Sequence, residues 1–155
     1  MVAVLVAAVN LFAQTFAGTW TCHGTAAAAS DHPARTYTSE WSIDSAPGDK
    51  WAVVKWGQQD GAGGGVAYVG FVPTQNDWAY QDFHYDGSYG VSTSDGPDKD
   101  KTWTWAGGAY YTQSGILHGV ATWKLISPTR IERTFSRVTD GKDPQKIGSD
   151  YCTKH

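Results

Sequence analysis

The chain has 155 residues, enough for one domain with a buried core. Aromatic residues make up 14% of it, with eight Trp and eight Tyr, and its 18 Gly favour turns and strands over helices. The net charge is −3 and the sequence has no basic cluster, which argues against nucleic acid as a partner.

The N-terminal stretch is more apolar than the rest of the chain. Residues 2–9 are all Val, Ala or Leu, a run too short to span a bilayer as a helix. It resembles the hydrophobic region of a secretory signal, with Ala13 before the cleavage point, although the usual basic residues are missing. We therefore expect residues 1–15 to be a signal-like segment or a segment that packs on the domain. Residues 16–155 are expected to form one β-barrel domain.

From Ala17 onward, apolar and polar residues alternate between turn-forming clusters, which predicts strands. The predicted strands are 17–25, 35–45, 51–58, 65–73, 78–85, 88–94, 101–107, 115–126, 129–139 and 146–154. One helical turn is predicted in the Ala-rich segment 25–34, where Pro33 would end it.

The connections between these strands are short, so successive strands are expected to pair antiparallel. An up-and-down sheet of this size leaves two free edges unless it closes on itself. The predicted fold class is therefore all-β, an antiparallel up-and-down β-barrel of about ten strands.

The two cysteines lie on the first and last predicted strands, at Cys22 and Cys152. Closure of the barrel makes these strands neighbours, so the sequence predicts a disulfide across the seam. Two free buried thiols are the alternative. Disulfides persist in oxidising compartments, and together with the signal-like N-terminus this predicts a secreted or periplasmic protein.

Several stretches resemble known families. The sequence "GTW" at 18–20 resembles the Gly-x-Trp opening of the calycins, which are lipocalins, fatty-acid-binding proteins and avidins, and whose Trp plugs one barrel end. With 16–24, the segments 121–142 and 150–154 resemble a domain-of-unknown-function family of small secreted bacterial β-proteins of lipocalin-like character. The lipocalin Thr-Asp-Tyr motif is absent, and avidin's biotin contacts cannot be mapped. The strand count is closer to fatty-acid-binding proteins and to nitrobindins, which bind haem through one His.

Two of the five histidines, His84 and His118, lie on strand faces that can turn inward. Haem is the one cofactor that the resemblance suggests, with either His as its ligand. Asp82 and His84 supply only two metal ligands, so no metal site is predicted and a hydrogen-bonded pair is favoured. The sequence contains no nucleophile motif of the hydrolases.

The tryptophans either fill the core or line a pocket. A barrel of this size has more lumen than small side chains fill, and aromatic walls with a few polar groups are typical of ligand pockets. The residues predicted as pocket walls are Trp56, Trp103, Trp105 and Trp123. The hydroxyls available to such a pocket are those of Tyr68, Tyr80, Tyr110 and Tyr111, with Tyr80 preferred.

Arg133 shares a strand face with Ile131 and Phe135. Three positions are open to it: stacked on Trp20, reaching into the lumen toward an acidic ligand, or facing solvent. An inward Arg requires an acidic ligand or a protein carboxylate, for which Glu40 is a candidate.

The leading interpretation is a binding protein for a small, largely apolar or acidic molecule. The alternatives are an enzyme of isomerase or hydrolase-like activity in the same pocket, a haem-binding nitrobindin-like barrel, and a structural subunit that self-associates through residues 1–13.

Overall fold

The chain closes into a barrel of ten antiparallel strands. The computed structural model describes residues 11–28, 33–140 and 142–155. The elements are α1 Leu11–Phe16, β1 Gly18–Ala26, β2 Arg35–Ser45, β3 Trp51–Gln58, β4 Gly64–Val72, β5 Asp77–His84, β6 Tyr89–Ser94, β7 Thr102–Thr112, β8 Gly115–Ser127, β9 Arg130–Val138 and β10 Gln145–Lys154. Each strand pairs with its neighbours in sequence, and β1 pairs with β10. The predicted all-β, up-and-down closed barrel is confirmed.

The seam between β1 and β10 places Cys22 directly opposite Cys152. The two residues are 130 positions apart in sequence and form the disulfide that the sequence predicted. Both are buried, so the strands' alternation turns the neighbouring positions Trp20, Gly24 and Asp150 inward as well. The seam therefore fixes which face of each end strand meets the lumen.

Strand β7 extends beyond its predicted end at residue 107. The register with β8 shifts between Trp105 and Gly108, and Gly107 has a φ of 66°. This is a β-bulge, in which glycine adopts the left-handed backbone without steric cost. The strand resumes after the bulge, so Tyr110 and Tyr111 belong to β7 rather than to a loop.

The Ala-rich segment also differs from its prediction. Thr25 and Ala26 continue β1, and residues 27 and 28 have no regular structure. The rest of the predicted helical turn includes positions 29–32, which lie outside the described residues.

One end of the barrel is closed by α1. Phe12 and Phe16 are fully buried, and the ring of Phe12 lies 5.3 Å from Trp103 and 5.4 Å from Trp123. Trp20 Nε1 donates to the carbonyl oxygen of Phe16 at 2.8 Å, which ties the helix to β1. The helix thus plugs the end of the barrel beside the buried Trp20.

The signal-like run at 2–9 lies outside the described residues. The predicted cleavage point after Ala13 falls within α1, where Ala13 is buried. Among the described residues, no helix is both long and apolar enough to cross a membrane.

The seam disulfide should contribute substantially to stability. Replacing both Cys22 and Cys152 by Ala is expected to lower the free energy of unfolding by up to about 4–5 kcal/mol, because the cross-link restricts a long loop of the unfolded chain. Urea unfolding of the two proteins measures the difference. Alkylation of the unreduced wild type should label no thiol, and two labelled cysteines in protein from an oxidising compartment would contradict the pairing.

The helical plug generates a second prediction. Phe12→Ala should destabilise the barrel by about 3–5 kcal/mol, because it removes a fully buried ring that contacts three tryptophans. Leu11→Ala is the matched control, since Leu11 is 40% exposed, and it should change stability by no more than about 0.5 kcal/mol. Equal small effects in chemical denaturation would show that α1 does not pack in the native protein.

Candidate functional site

The lumen contains a cavity of about 380 Å³ that opens at the end opposite α1. The β3–β4, β5–β6 and β7–β8 hairpins form its mouth, where Gln58, Ser88 and Thr112 line it. Its deep side is lined by Trp105 and Trp123, whose rings contact Phe12 of the plug. The barrel is therefore packed at one end and hollow at the other.

The cavity wall is largely aromatic. Trp41 and Trp56 stack with their ring centroids 5.1 Å apart, and Trp123 meets the Trp41 ring edge-on at 5.6 Å. On the other side, Tyr80 lies 5.3 Å from Trp105. Because these rings hold one another in place, the wall is built before any ligand arrives.

Seven of the eight residues predicted as ligand contacts line this cavity. They are Tyr80, Trp56, Trp105, Trp123, Arg133, His84 and His118. Trp103 is not among the lining residues, because it is fully buried against the plug and Trp78. Of the other proposed hydroxyl donors, Tyr110 lines the cavity, whereas Tyr68 and Tyr111 are exposed.

Arg133 points into the barrel and is only 2% exposed. Its guanidinium carbon lies 3.7 Å from the ring centroid of Trp41 and 4.8 Å from that of Trp123. Arg133 Nε donates to Asp150 Oδ1 at 2.8 Å, and Nη2 donates to Oδ2. The charge of this Arg is therefore neutralised by a bidentate carboxylate and further stabilised by two aromatic faces.

Two alternatives for Arg133 are thereby corrected. It does not stack on Trp20, since the cation above that ring is Lys154, whose Nζ lies 5.4 Å from the centroid. Its carboxylate partner is not Glu40, which is exposed and accepts a hydrogen bond from Thr21 at 2.9 Å.

Asp150 is also held from β2. Tyr37 donates its hydroxyl to Asp150 Oδ2 at 3.0 Å. Burial, and then the charge of Asp150, raises the pKa of Tyr37 above its ordinary value of 10.0, so the phenol stays protonated as a donor. Gly24 makes this possible, because a Cβ there would lie 2.6 Å from the Tyr37 hydroxyl and 2.7 Å from Asp150 Cβ.

Asp82 and His84 form the hydrogen-bonded pair that the sequence favoured. His84 Nε2 lies 2.9 Å from Asp82 Oδ2, and the His84 ring meets Trp56 edge-on at 5.3 Å. Burial raises the pKa of both Tyr80 and Tyr110, and the nearby charge of Asp82 raises it further. The charge of Asp82 therefore acts on both phenols.

His118 reaches the cavity only at its rim. The alternation of β8 turns it away from the face that carries Leu117 and Gly119, and it is exposed. Its Nδ1 lies 3.1 Å from the carbonyl oxygen of Gly108, an acceptor, so this nitrogen carries the proton.

Four polar atoms of the cavity wall are buried without a hydrogen-bond partner among the described residues. They are Gln58 Oε1, Asp82 Oδ1, Trp105 Nε1 and Arg133 Nη1. Buried polar atoms normally have partners, because an unmade hydrogen bond costs about 1–3 kcal/mol. Two donors and two acceptors without partners thus belong to side chains that line the cavity.

Sequence reasoning missed Trp41, Tyr37 and Asp150 as parts of this site. Asp150 carries a detectable signal, because it lies two positions before Cys152 and so shares the inward face of β10. The described residues include one group of three metal-ligand side chains, Cys22, Asp150 and Cys152. Its two sulfurs are bonded to each other and therefore offer no thiolate.

Comparison with known proteins gives the fold but no family. No family model matches the chain, and no curated protein matches it. Among solved structures, the crystal structure of Rv2717c from M. tuberculosis is similar, with a TM-score of 0.75 over 96% of this chain and 98% of that one. The sequence identity is 10%, so this likeness extends to the fold alone. The resemblance to lipocalin-like families remains a prediction.

The Arg133–Asp150 pair can be tested by breaking it from one side. Asp150→Asn should lower the free energy of unfolding by about 3–5 kcal/mol, because it leaves a buried guanidinium without its counter-charge. The double change Arg133→Met with Asp150→Leu should cost less than this single change. Arg130→Met is the control, since Arg130 is exposed and its pair with Glu132 spans 3.5 Å, and it should cost under about 1 kcal/mol. A similar small loss for Asp150→Asn in urea unfolding would show that Arg133 is solvated.

Proposed function

We propose that this barrel is a binding protein for a small, largely apolar molecule with a few polar groups, held in the lumen. The observation that carries the proposal is the aromatic cavity of about 380 Å³ whose wall contains buried polar atoms without partners. Its size lies within the range of small-molecule sites, about 300–1,000 Å³.

The distribution of side-chain volume supports a binding role over a packed core. The aromatic rings of Trp56, Trp105 and Trp123 are set against the small side chains of Ser92, Gly119 and Ala121 on the same cavity wall. A core would fill such gaps to the density of an organic crystal, since unfilled space loses dispersion contacts. A ligand that occupies the lumen would restore those contacts.

The proposal does not require an acidic ligand at Arg133. The charge of Arg133 is already matched by Asp150, and its Nη1 is the guanidinium nitrogen that has no hydrogen-bond partner among the described residues. Arg137 also lines the cavity and is exposed at its mouth, where an acidic group of a ligand could remain partly solvated. A neutral acceptor is therefore sufficient inside the lumen.

We place this function in an oxidising compartment, outside the cell or in the periplasm. The support for this is the seam disulfide, since such bonds are rare where thiols are kept reduced.

Filling the cavity provides the test. Ala121→Trp adds bulk to the lumen wall and should weaken ligand binding at least about tenfold, because the added ring occupies the ligand's space. Thr104→Trp places the same ring at an exposed position of β7 and should bind like wild type. Intrinsic Trp fluorescence measures the binding of decanoate and haem, and isothermal titration calorimetry measures that of indole, whose emission overlaps that of Trp. Native mass spectrometry of the purified protein detects a retained ligand. No response to any probe and no retained mass would contradict the proposal.

The same titration tests two alternatives. Haem binding would give a Soret band that is lost in His84→Ala or His118→Ala, although His84 Nε2 is already engaged by Asp82. An enzyme in this pocket would depend on the Asp82–His84 pair for proton transfer. It would convert a bound compound into a product of different mass or structure.

A further inference from the structure

We propose that Asp82 receives a protonated amine, so that the ligand of this cavity is an aromatic amine. This inference rests on the proposed binding function and names the chemical class of the ligand.

Only one of the two carboxylate oxygens of Asp82 has a hydrogen-bond partner. Asp82 is 4% exposed and lines the cavity. One oxygen, Oδ2, lies 2.9 Å from His84 Nε2, while Oδ1 is buried and has no hydrogen-bond partner. A carboxylate accepts through both oxygens, so Oδ1 is an acceptor without a partner on a side chain that lines the cavity.

Aromatic side chains lie around Asp82 Oδ1. Tyr110 lies beside it, because a Cβ built at Gly90 would be 2.3 Å from Asp82 Oδ1 and 2.5 Å from a Tyr110 ring carbon. Tyr80 occupies the next inward position of β5 and packs on Trp105. Aromatic faces attract cations, so a carboxylate within aromatic walls suits an ammonium group better than a neutral donor.

No cation of the described residues lies at Asp82 Oδ1. Arg133 is held by Asp150 in a bidentate pair. Arg137 is exposed at the mouth, and His84 contacts only the other oxygen of Asp82. Among the described residues, none supplies a cation to Oδ1, so the ligand has to provide it.

The cavity also selects the rest of the ligand. Stacked and edge-on tryptophans suit a flat aromatic ring system, which can lie against Trp56 and Trp123 while its amine reaches Asp82. Trp105 Nε1 and Arg133 Nη1 are open donors for an acceptor on that ring system.

Three probes of similar shape test the inference: tryptamine, the neutral 3-ethylindole and the acid indole-3-propionate. Wild type should bind tryptamine at least about tenfold more tightly than either of the others, because only tryptamine carries an ammonium group for Asp82. Asp82→Asn should reduce this preference to about twofold or less, because the amide carries no charge for the ammonium group. Asp44→Asn removes the same charge at an exposed position of β2 and should keep the preference.

The outcomes separate the two proposals. Equal binding of tryptamine and 3-ethylindole by wild type, or a preference that survives in Asp82→Asn, overturns the amine inference and leaves the binding function intact. The amine inference is likewise overturned, and the binding function kept, if none of the three indoles binds while decanoate or haem does. If no probe binds and native mass spectrometry shows no retained ligand, both proposals fail; a retained ligand without an amine overturns the amine inference alone. The wild-type comparison decides the inference by itself if Asp82→Asn does not fold.

Discussion

The pairing of β1 with β10 across the seam is the constraint on which the site depends. Cys22 and Cys152 are bonded and both face inward, which sets the phase of alternation on the two end strands. Asp150 then faces the lumen, and its cross-strand partner on β9 is Arg133. A slip of one residue in this pairing would turn the Asp150 carboxylate to solvent and leave the Arg133 guanidinium buried without a counter-charge. The pairing that closes the barrel therefore also neutralises the charge in its lumen.

The Arg133–Asp150 pair also organises the aromatic wall. A buried ion pair is weak evidence for stability, because desolvation offsets much of the Coulomb attraction. Here the guanidinium lies against Trp41, and Trp41 stacks on Trp56. Without the pair, neither the guanidinium plane of Arg133 nor the tryptophan rings that it contacts would be held in one orientation. The pair is therefore best explained by the geometry it imposes on the cavity rather than by net stability.

The fold was accessible from the sequence because its signals are local. Alternation and turn residues define strands, and short connections define an antiparallel meander. The face of Arg133 was not, because alternation on β9 leaves either face free to turn inward and the choice depends on pairing with Asp150 on β10. The extension of β7 was missed because it follows a bulge at Gly107. Bulges change which residues face the lumen without changing the strand pattern that predicts them.

Depth along the barrel, rather than residue type, separates core from binding site. Trp103 and Trp105 lie two positions apart on the same face of β7, yet only Trp105 lines the cavity. The difference comes from α1, whose Phe12 lies 5.3 Å from Trp103 and 5.9 Å from Trp105. Phe12 thus forms a floor between a packed end and a hollow one. The aromatic sequence alone predicts a pocket wall at both Trp103 and Trp105. The position of α1 determines that only the wall at Trp105 borders the cavity.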